Sequence, residues 1–373
     1  STFDTHTGTV NMTPLLDMFF DYQKMAWQET FRMQERMLNM AKVPKIVGNV
    51  QIAHSPHDVV YEEDALQLLR FRNDSVDLAE PILICYALVN RPYILDLESR
   101  RSVVRQLLKR GFEVYLIDWG IPTAADRSLR LKDYVCGFLK NVVDFVCEDA
   151  DSSQINLLGY CMGGTMSTMF TALYQSQVRN LILMAAPIDF DNNGGLLNLW
   201  TREEHFDVDG LIDAFGNCPG SFLQSTFQLR DPLQNFVAKY QSFYEKLDDE
   251  DFLENYFAME HWANDNIPIA GETFREFVKK LYQRNELIKG EFRLNGKLVR
   301  LSEITCPLLM LVADRDDLVP AASTLAIEKY VRSKDVQAMS IDAGHIGLAV
   351  GSRSHRQLWP NVAMWIADRS TNR

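Results

Sequence analysis

"NLLGYCMGGTM", Asn156 to Met166, decides how the chain is read. An apolar run that suits a buried strand meets Gly159-Tyr160-Cys161-Met162-Gly163, and a helix-compatible stretch follows. Gly-x-nucleophile-x-Gly between a strand and a helix is a sharp turn that lifts a reactive side chain clear of a sheet. The flanking glycines let strand and helix approach, and the residue between them is held in a strained backbone conformation. Serine is the usual occupant of that middle position; this chain has Cys161. A lone cysteine is by default a small buried hydrophobe. The strand–turn–helix setting makes Cys161 a candidate nucleophile instead.

The neighbouring sequence alternates in the same grammar. Residues 59–72 read as a strand pair or a strand with a turn, and "PILICYAL" (81–88) as a buried strand. "SRRSVVRQLLKR" (99–110) is an amphipathic helix closed by Gly111, "EVYLIDW" (113–119) a strand, and 131–149 a helix. "INLLGY" (155–160) and "VRNLILMAAP" (178–187) are strands around the helix that begins near Gly164. Alternation of this kind predicts a mostly parallel sheet covered by helices on both faces. The rhythm stops after Pro187 and resumes with "CPLLMLVADRDDLVP" (306–320), a helix from Ala321, "VQAMSID" (336–342) and a last helix near 355–368. Between them, residues rich in Phe, Tyr, Trp, Asp and Asn carry helical pieces such as "GETFREFVKKLYQ" (271–283). The expected organisation is an α/β-hydrolase core, 49–188 and 301–373, with an inserted, mainly helical cap at 189–300.

In such a fold the nucleophile is followed in chain order by an acid and then a histidine. The strand "LLMLVA" runs into Asp314-Arg315-Asp316-Asp317-Leu318-Val319. Spacing to the valine selects Asp316, with Asp314 and Asp317 read as solvated or structural. "DAGHIG" then supplies His345, after room for one helix and one strand. The other histidines lack that context, although His261 in "MEHW" stands in the cap. An oxyanion needs two donors. The Met162 N–H, just past the nucleophile, is one candidate. The loop after strand 81–88, at Val89 or Asn90, is the other.

Composition narrows the partners. The chain has 373 residues, 47% hydrophobic and 24% charged, with net charge −12. That balance argues against nucleic acid, which needs clustered Lys and Arg. The six cysteines, Cys85, Cys136, Cys147, Cys161, Cys218 and Cys306, form no metal-binding pattern and suit a reducing cytoplasm. No membrane-spanning run, secretory signal or lipidation motif is present, so a cytoplasmic protein is expected. Residues 1–11 are expected to be disordered. From Thr13, an N-cap followed by Pro14, a helix is predicted to Met40, with Val43-Pro44 ending the segment. Leu15, Met18, Phe19, Tyr22, Met25 and Ala26 form one apolar stripe, while Phe20, Trp27, Phe31 and Met33 fall partly off it. A helix apolar on more than one side either packs on its own domain or meets a partner, and methionine-rich faces suit adaptable interfaces.

"YALVNRPYILDL" (86–97), "VYLIDWGIP" (114–122), "NLLGYCMGG" (156–164), "APIDF" (186–190), "AGETFREF" (270–277) and "GHIG" (344–347) together resemble the polyhydroxyalkanoate synthases. The short chain is similar to the catalytic subunit of their two-subunit types, class III or class IV. The resemblance spans roughly residues 50–370, and Asp317 stands where many members carry histidine. It implies Cys161 as nucleophile with Asp316 and His345, and (R)-3-hydroxyacyl-CoA, chiefly 3-hydroxybutyryl-CoA, as substrate. It implies no cofactor, since CoA is part of the substrate. It further implies a smaller companion subunit, a homo-oligomer, and action at the surface of polyester granules in the cytoplasm; the amphipathic helix in the N-terminal segment 1–48 is the expected place for the companion. A cysteine suits this chemistry, because exchange with a thioester keeps the acyl group activated on sulfur. Two rivals use the same residues differently. A dienelactone-hydrolase-type enzyme would pass the acyl group to water. A granule-binding scaffold would not need Cys161 at all.

Overall fold

The computed structural model describes residues 13–52, 55–191, 195–229 and 239–373, without the side chains of 13–20, 196, 228 and 229. The expectation of disorder at 1–11 therefore lies outside the described residues. Contacts divide the chain into one unit of residues 1–50 and 232–257 and a second of 51–231 and 258–373.

The second unit is built on an eight-stranded sheet. Its strands are β1 (His57–Glu63), β2 (Leu66–Phe71), β3 (Ile82–Cys85), β4 (Val114–Asp118), β5 (Ile155–Tyr160), β6 (Val178–Met184), β9 (Leu308–Ala313) and β10 (Val336–Ile341). β7 (Arg293–Leu294) and β8 (Lys297–Leu298) form a separate hairpin. The order is β1-β2-β4-β3-β5-β6-β9-β10. Every pair from β4 to β10 is parallel, and the β1–β2 hairpin adds antiparallel strands at one edge. β3, β5 and β9 are buried at every position, as their unbroken apolar sequences require in a parallel sheet covered on both faces. β1 and β10, the outermost strands, alternate with exposed positions.

Helices α3 (Val103–Lys109), α4 (Lys140–Asp149) and α5 (Met162–Leu173) connect these strands. Ser102 caps α3 by accepting from Arg105 N–H, and Gly111, at φ +98, turns the chain into β4. The predicted helix 131–149 is wider-wound over Asp133–Leu139, a π-helix that runs directly into α4. The last predicted helix likewise opens with a π-turn, Ser354–Leu358, before Trp359–Ala367. The wider windings are local rearrangements of helical segments that an apolar period does not reveal.

In the first unit, α1 runs from Thr13 to Met40 and α2 from Val43 to Asn49. Pro44 sits in the first turn of α2, so it opens a second helix after the break at 41–42; its missing N–H costs nothing there. The side chains of Leu15, Met18, Phe19 and Phe20, part of the predicted stripe, lie outside the described residues. Tyr22, Met25, Trp27, Phe31, Met33, Met37, Leu38 and Met40 are all exposed. Among the described residues no helix is long and apolar enough to cross a membrane.

Candidate active site

Cys161 joins β5 to α5 with φ 54 and ψ −126, a left-handed conformation that a side chain tolerates only when its surroundings impose it. The surroundings here are glycines. A Cβ on Gly163 would lie 2.1 Å from the Cys85 carbonyl oxygen at the end of β3. One on Gly159 would lie 2.5 Å from Gly164 Cα, and one on Gly164 would lie 2.3 Å from Ala186 Cβ. Helix, central strand and both neighbouring strand ends therefore close around Cys161 only with glycine at all three places. The Cys161 N–H donates to Met184 O at 2.9 Å, which pins the turn to β6. Met162 opens α5, and the first N–H groups of a helix have no partner within it.

Asp316 and His345 come from the loops after β9 and β10. His345 Nδ1 and Asp316 Oδ2 are 2.7 Å apart, both side chains buried. Asp316 Oδ1 accepts from Leu318 N–H at 3.0 Å and Val319 N–H at 2.8 Å, so both carboxylate oxygens are engaged. Asp314 and Asp317 are exposed. The two loops are stitched together: Asp314 N–H donates to Ile341 O, Arg315 N–H to Ala343 O, and Arg315 and Arg353 both pair with Asp342. Burial disfavours a charged His345, but the Asp316 carboxylate, negative charge on Cys161 and hydrogen bonds to both side chains outweigh it. The imidazole consequently holds its proton more tightly than an ordinary histidine. Nδ1 being committed to Asp316, Nε2 is the nitrogen that faces Cys161.

Sequence reasoning missed the support beneath this line. Tyr160, the residue before the nucleophile, stacks on the His345 ring at 5.4 Å and donates its hydroxyl to His345 O at 2.9 Å. Tyr86, just past β3, meets Tyr160 edge-on at 5.6 Å. From the cap side, Tyr282 packs edge-on against Phe190 at 4.8 Å. Burial raises its proton affinity, and negative charge on Cys161 and Asp316 raises it further. No periodic pattern marks these tyrosines, and Tyr86 meets Tyr160 because β3 lies beside β5 in the sheet.

The predicted oxyanion loop has an unusual backbone. Asn90 adopts φ 63, and its Oδ1 is buried without a hydrogen-bond partner. The Val89 side chain packs on an apolar cluster of Val208, Ile212, Cys218, Leu223, Ile269 and Val278. Arg91, the next residue in that loop, is partly buried and paired with Asp118 at 3.0 Å, while its carbonyl accepts from Trp262 Nε1. The pairing is long-range and so invisible in sequence. His261 lies beside Tyr93, with ring centroids 6.2 Å apart, rather than in the Cys161–His345–Asp316 line.

Comparison with known proteins gives the fold and the family. Residues 80–352 match the model for the alpha/beta hydrolase fold, and residues 26–107 match that for the poly-beta-hydroxybutyrate polymerase (PhaC) N-terminus. The poly(3-hydroxyalkanoate) polymerase subunit PhaC of Haloferax mediterranei is 44% identical over 360 residues, 96% of this chain and 73% of the relative. The protein of the same name from Synechocystis is 43% identical, covering 86% of each chain. The chain belongs to the PhaC family of polymerase subunits. A solved structure of a candidate lipase from Sulfolobus solfataricus superposes with TM-score 0.53 at 15% identity, covering 85% of this chain and all of that one, and shows the fold alone.

The remaining PhaC-like motifs hold neighbouring segments together. In "APIDF", the Ala186, Pro187 and Asp189 carbonyls accept from Thr324, Thr165 and Ser323 hydroxyls. Phe190 N–H donates to Asn285 Oδ1, whose amide returns to Asp189. In "AGETFREF", a Cβ on Gly271 would lie 1.8 Å from Gly216 O, so only glycine lets helix Gly271–Glu276 reach the end of helix Val208–Phe215. Arg275 and Lys279 both pair with Asp209 across that contact.

Proposed function

We propose that this chain polymerises (R)-3-hydroxyacyl-CoA, chiefly 3-hydroxybutyryl-CoA, through an acyl group held on Cys161. The observation that carries the mechanism is a cysteine on the strained turn, in line with the buried His345–Asp316 pair. His345 Nε2 takes the thiol proton, and the thiolate attacks the thioester carbonyl. The Met162 N–H and the Val89–Asn90 loop supply the donors for the oxyanion. Collapse expels CoA as a thiolate, which takes the proton from His345 and leaves as the thiol.

The hydroxyl of a hydroxyacyl unit next attacks the acyl–sulfur carbonyl and gives its proton to His345. The ester forms, the carbon–sulfur bond breaks, and the proton returns to Cys161. Asp316 acts by orienting His345 and stabilising its charged form, because both of its oxygens are already engaged. No cofactor is required, since every proton is carried by His345 and the leaving group is CoA itself.

The family's subunit name supports a companion protein. We place that smaller companion on α1, where the apolar side chains are exposed. On a helix of 3.6 residues per turn, Tyr22, Met33, Met37 and Met40 share one side, and Trp27, Phe31 and Leu38 fall on roughly the opposite side. Two such stripes suit a helix enclosed between partner elements in a homo-oligomeric assembly. The insoluble product would hold the enzyme at a granule surface in the cytoplasm.

The test is one reaction with (R)-3-hydroxybutyryl-CoA, with and without the companion and with Cys161→Ala as control, following CoA release and product together. Insoluble polyester with CoA release, lost in the variant, supports the synthase. Free 3-hydroxybutyrate alone would make the chain a hydrolase.

A further inference from the structure

Tyr86 is 4% exposed and lies close enough to Cys161 for negative charge there to act on its hydroxyl. Cys85 pairs with Gly159 in the parallel β3–β5 register, which sets Tyr86 beside Tyr160 and the turn at Cys161. Its ring meets Tyr160 edge-on, and Tyr160 in turn stacks on His345. The two tyrosines differ in one respect. The Tyr160 hydroxyl is satisfied by His345 O, whereas the Tyr86 hydroxyl makes no hydrogen bond among the described residues. The one bond assigned to Tyr86 near this loop uses its backbone carbonyl, which accepts from Trp119 Nε1. The Tyr86 side chain is largely buried, but its hydroxyl oxygen is not sealed off from solvent, so it can be reached by a bound group. Burial, then negative charge on Cys161, then Tyr93 push its proton affinity well up, so the hydroxyl stays protonated and able to donate.

The geometry points to Tyr86 as the residue that binds the 3-oxygen of the acyl group held on Cys161, and so as a determinant of specificity for hydroxyacyl over plain acyl thioesters. The inference rests on the synthase reading. In that reading the carbonyl oxygen is served by backbone N–H groups and CoA departs. The polar atom left on the acyl group is the oxygen on its third carbon, a hydroxyl on the monomer and an ester oxygen in the chain. A site that hydrogen-bonds a substrate hydroxyl rejects an analogue lacking it far more strongly than a site that only fits its carbon skeleton.

The experiment compares acylation of Cys161 by (R)-3-hydroxybutyryl-CoA and by butyryl-CoA, reading CoA release in a single turnover and the mass of the acyl-enzyme. Wild type, Tyr86→Phe and Tyr282→Phe are measured with the companion present. Tyr86→Phe keeps the ring on Tyr160 and removes no bond within the protein, so it should melt like wild type. We expect it to lower the preference for the hydroxyacyl substrate by about 10- to 100-fold, with butyryl-CoA acylation within about twofold of wild type. Equal slowing with both substrates would assign Tyr86 to the carbonyl or to packing and overturn the proposal. An unchanged ratio would overturn it too, as would a ratio that collapses in Tyr282→Phe but not in Tyr86→Phe. The wild-type arm judges the synthase reading separately: without acylation by the hydroxyacyl thioester, both readings fall.

Discussion

α5 and α1 are both rich in methionine, yet they end in opposite environments. Residues Met162 to Ala172 of α5 are all buried, and no charge interrupts them. The large apolar side chains from Tyr22 to Met40 on α1 stand exposed, Trp27 at 63% and Phe31 at 61%. α1 also carries Lys24, Glu29, Arg32, Glu35 and Arg36 between its apolar residues. A helix without charges has to be enclosed by its own chain. A helix with apolar stripes between charges is stable at a boundary and has contacts left to make. On the function proposed above, α5 serves the catalytic turn and α1 serves assembly.

The sharpest break of that contrast is chemical. Cys161→Ala, at the head of α5, should lower CoA release by at least about a thousandfold, while thermal melting shifts little. Asp316→Asn should lower turnover by about 10³- to 10⁴-fold, because the imidazole loses its orienting anion. This variant also tests the charge balance. The raised proton affinity of His345 favours its protonated form in the fold. That contribution is full below the ordinary histidine value of 6.5 and is lost as pH rises through the higher folded value. The melting-temperature gap between wild type and Asp316→Asn should therefore be widest below about pH 6.5 and narrow at higher pH.

Packing gives the next contrast. Gly163→Ala should cost at least about 3 kcal/mol in urea denaturation, since the added carbon meets the Cys85 carbonyl. Trp27→Ala with Phe31→Ala should change the same measurement by only about 0.5 kcal/mol. Their effect should appear instead in co-purification with the companion subunit. If the pair left co-purification intact, and deletion of residues 1–42 did too, α1 would lose its assembly role and the contrast with α5 would reduce to exposure alone.

Much of the catalytic half was legible in sequence because its signals are local. A strand, a Gly-x-Cys-x-Gly turn and a helix lie within 20 residues, and chain order then picks Asp316 and His345. The turn's conformation and the Asp316–His345 hydrogen bond follow that pattern. What escaped was set by distant parts of the chain. Tyr86 meets Tyr160 because β3 and β5 are neighbours in the sheet. Arg91 finds Asp118 only because β4 brings that carboxylate to the loop. The proline at position 44 reads as a stop, but it serves equally as the first turn of a new helix, and only the break at 41–42 decides between them.

The glycines around Cys161 also bear on how this protein can change over generations. At positions 159, 163 and 164 a single added methyl group collides with backbone or a buried side chain. In a library of random variants screened for polymer, those three positions should return glycine alone, whereas the exposed side of α1 should return many residues. The active turn would then be closed to gradual exploration, and variation in which partner the enzyme works with would be the easier path for a lineage to take.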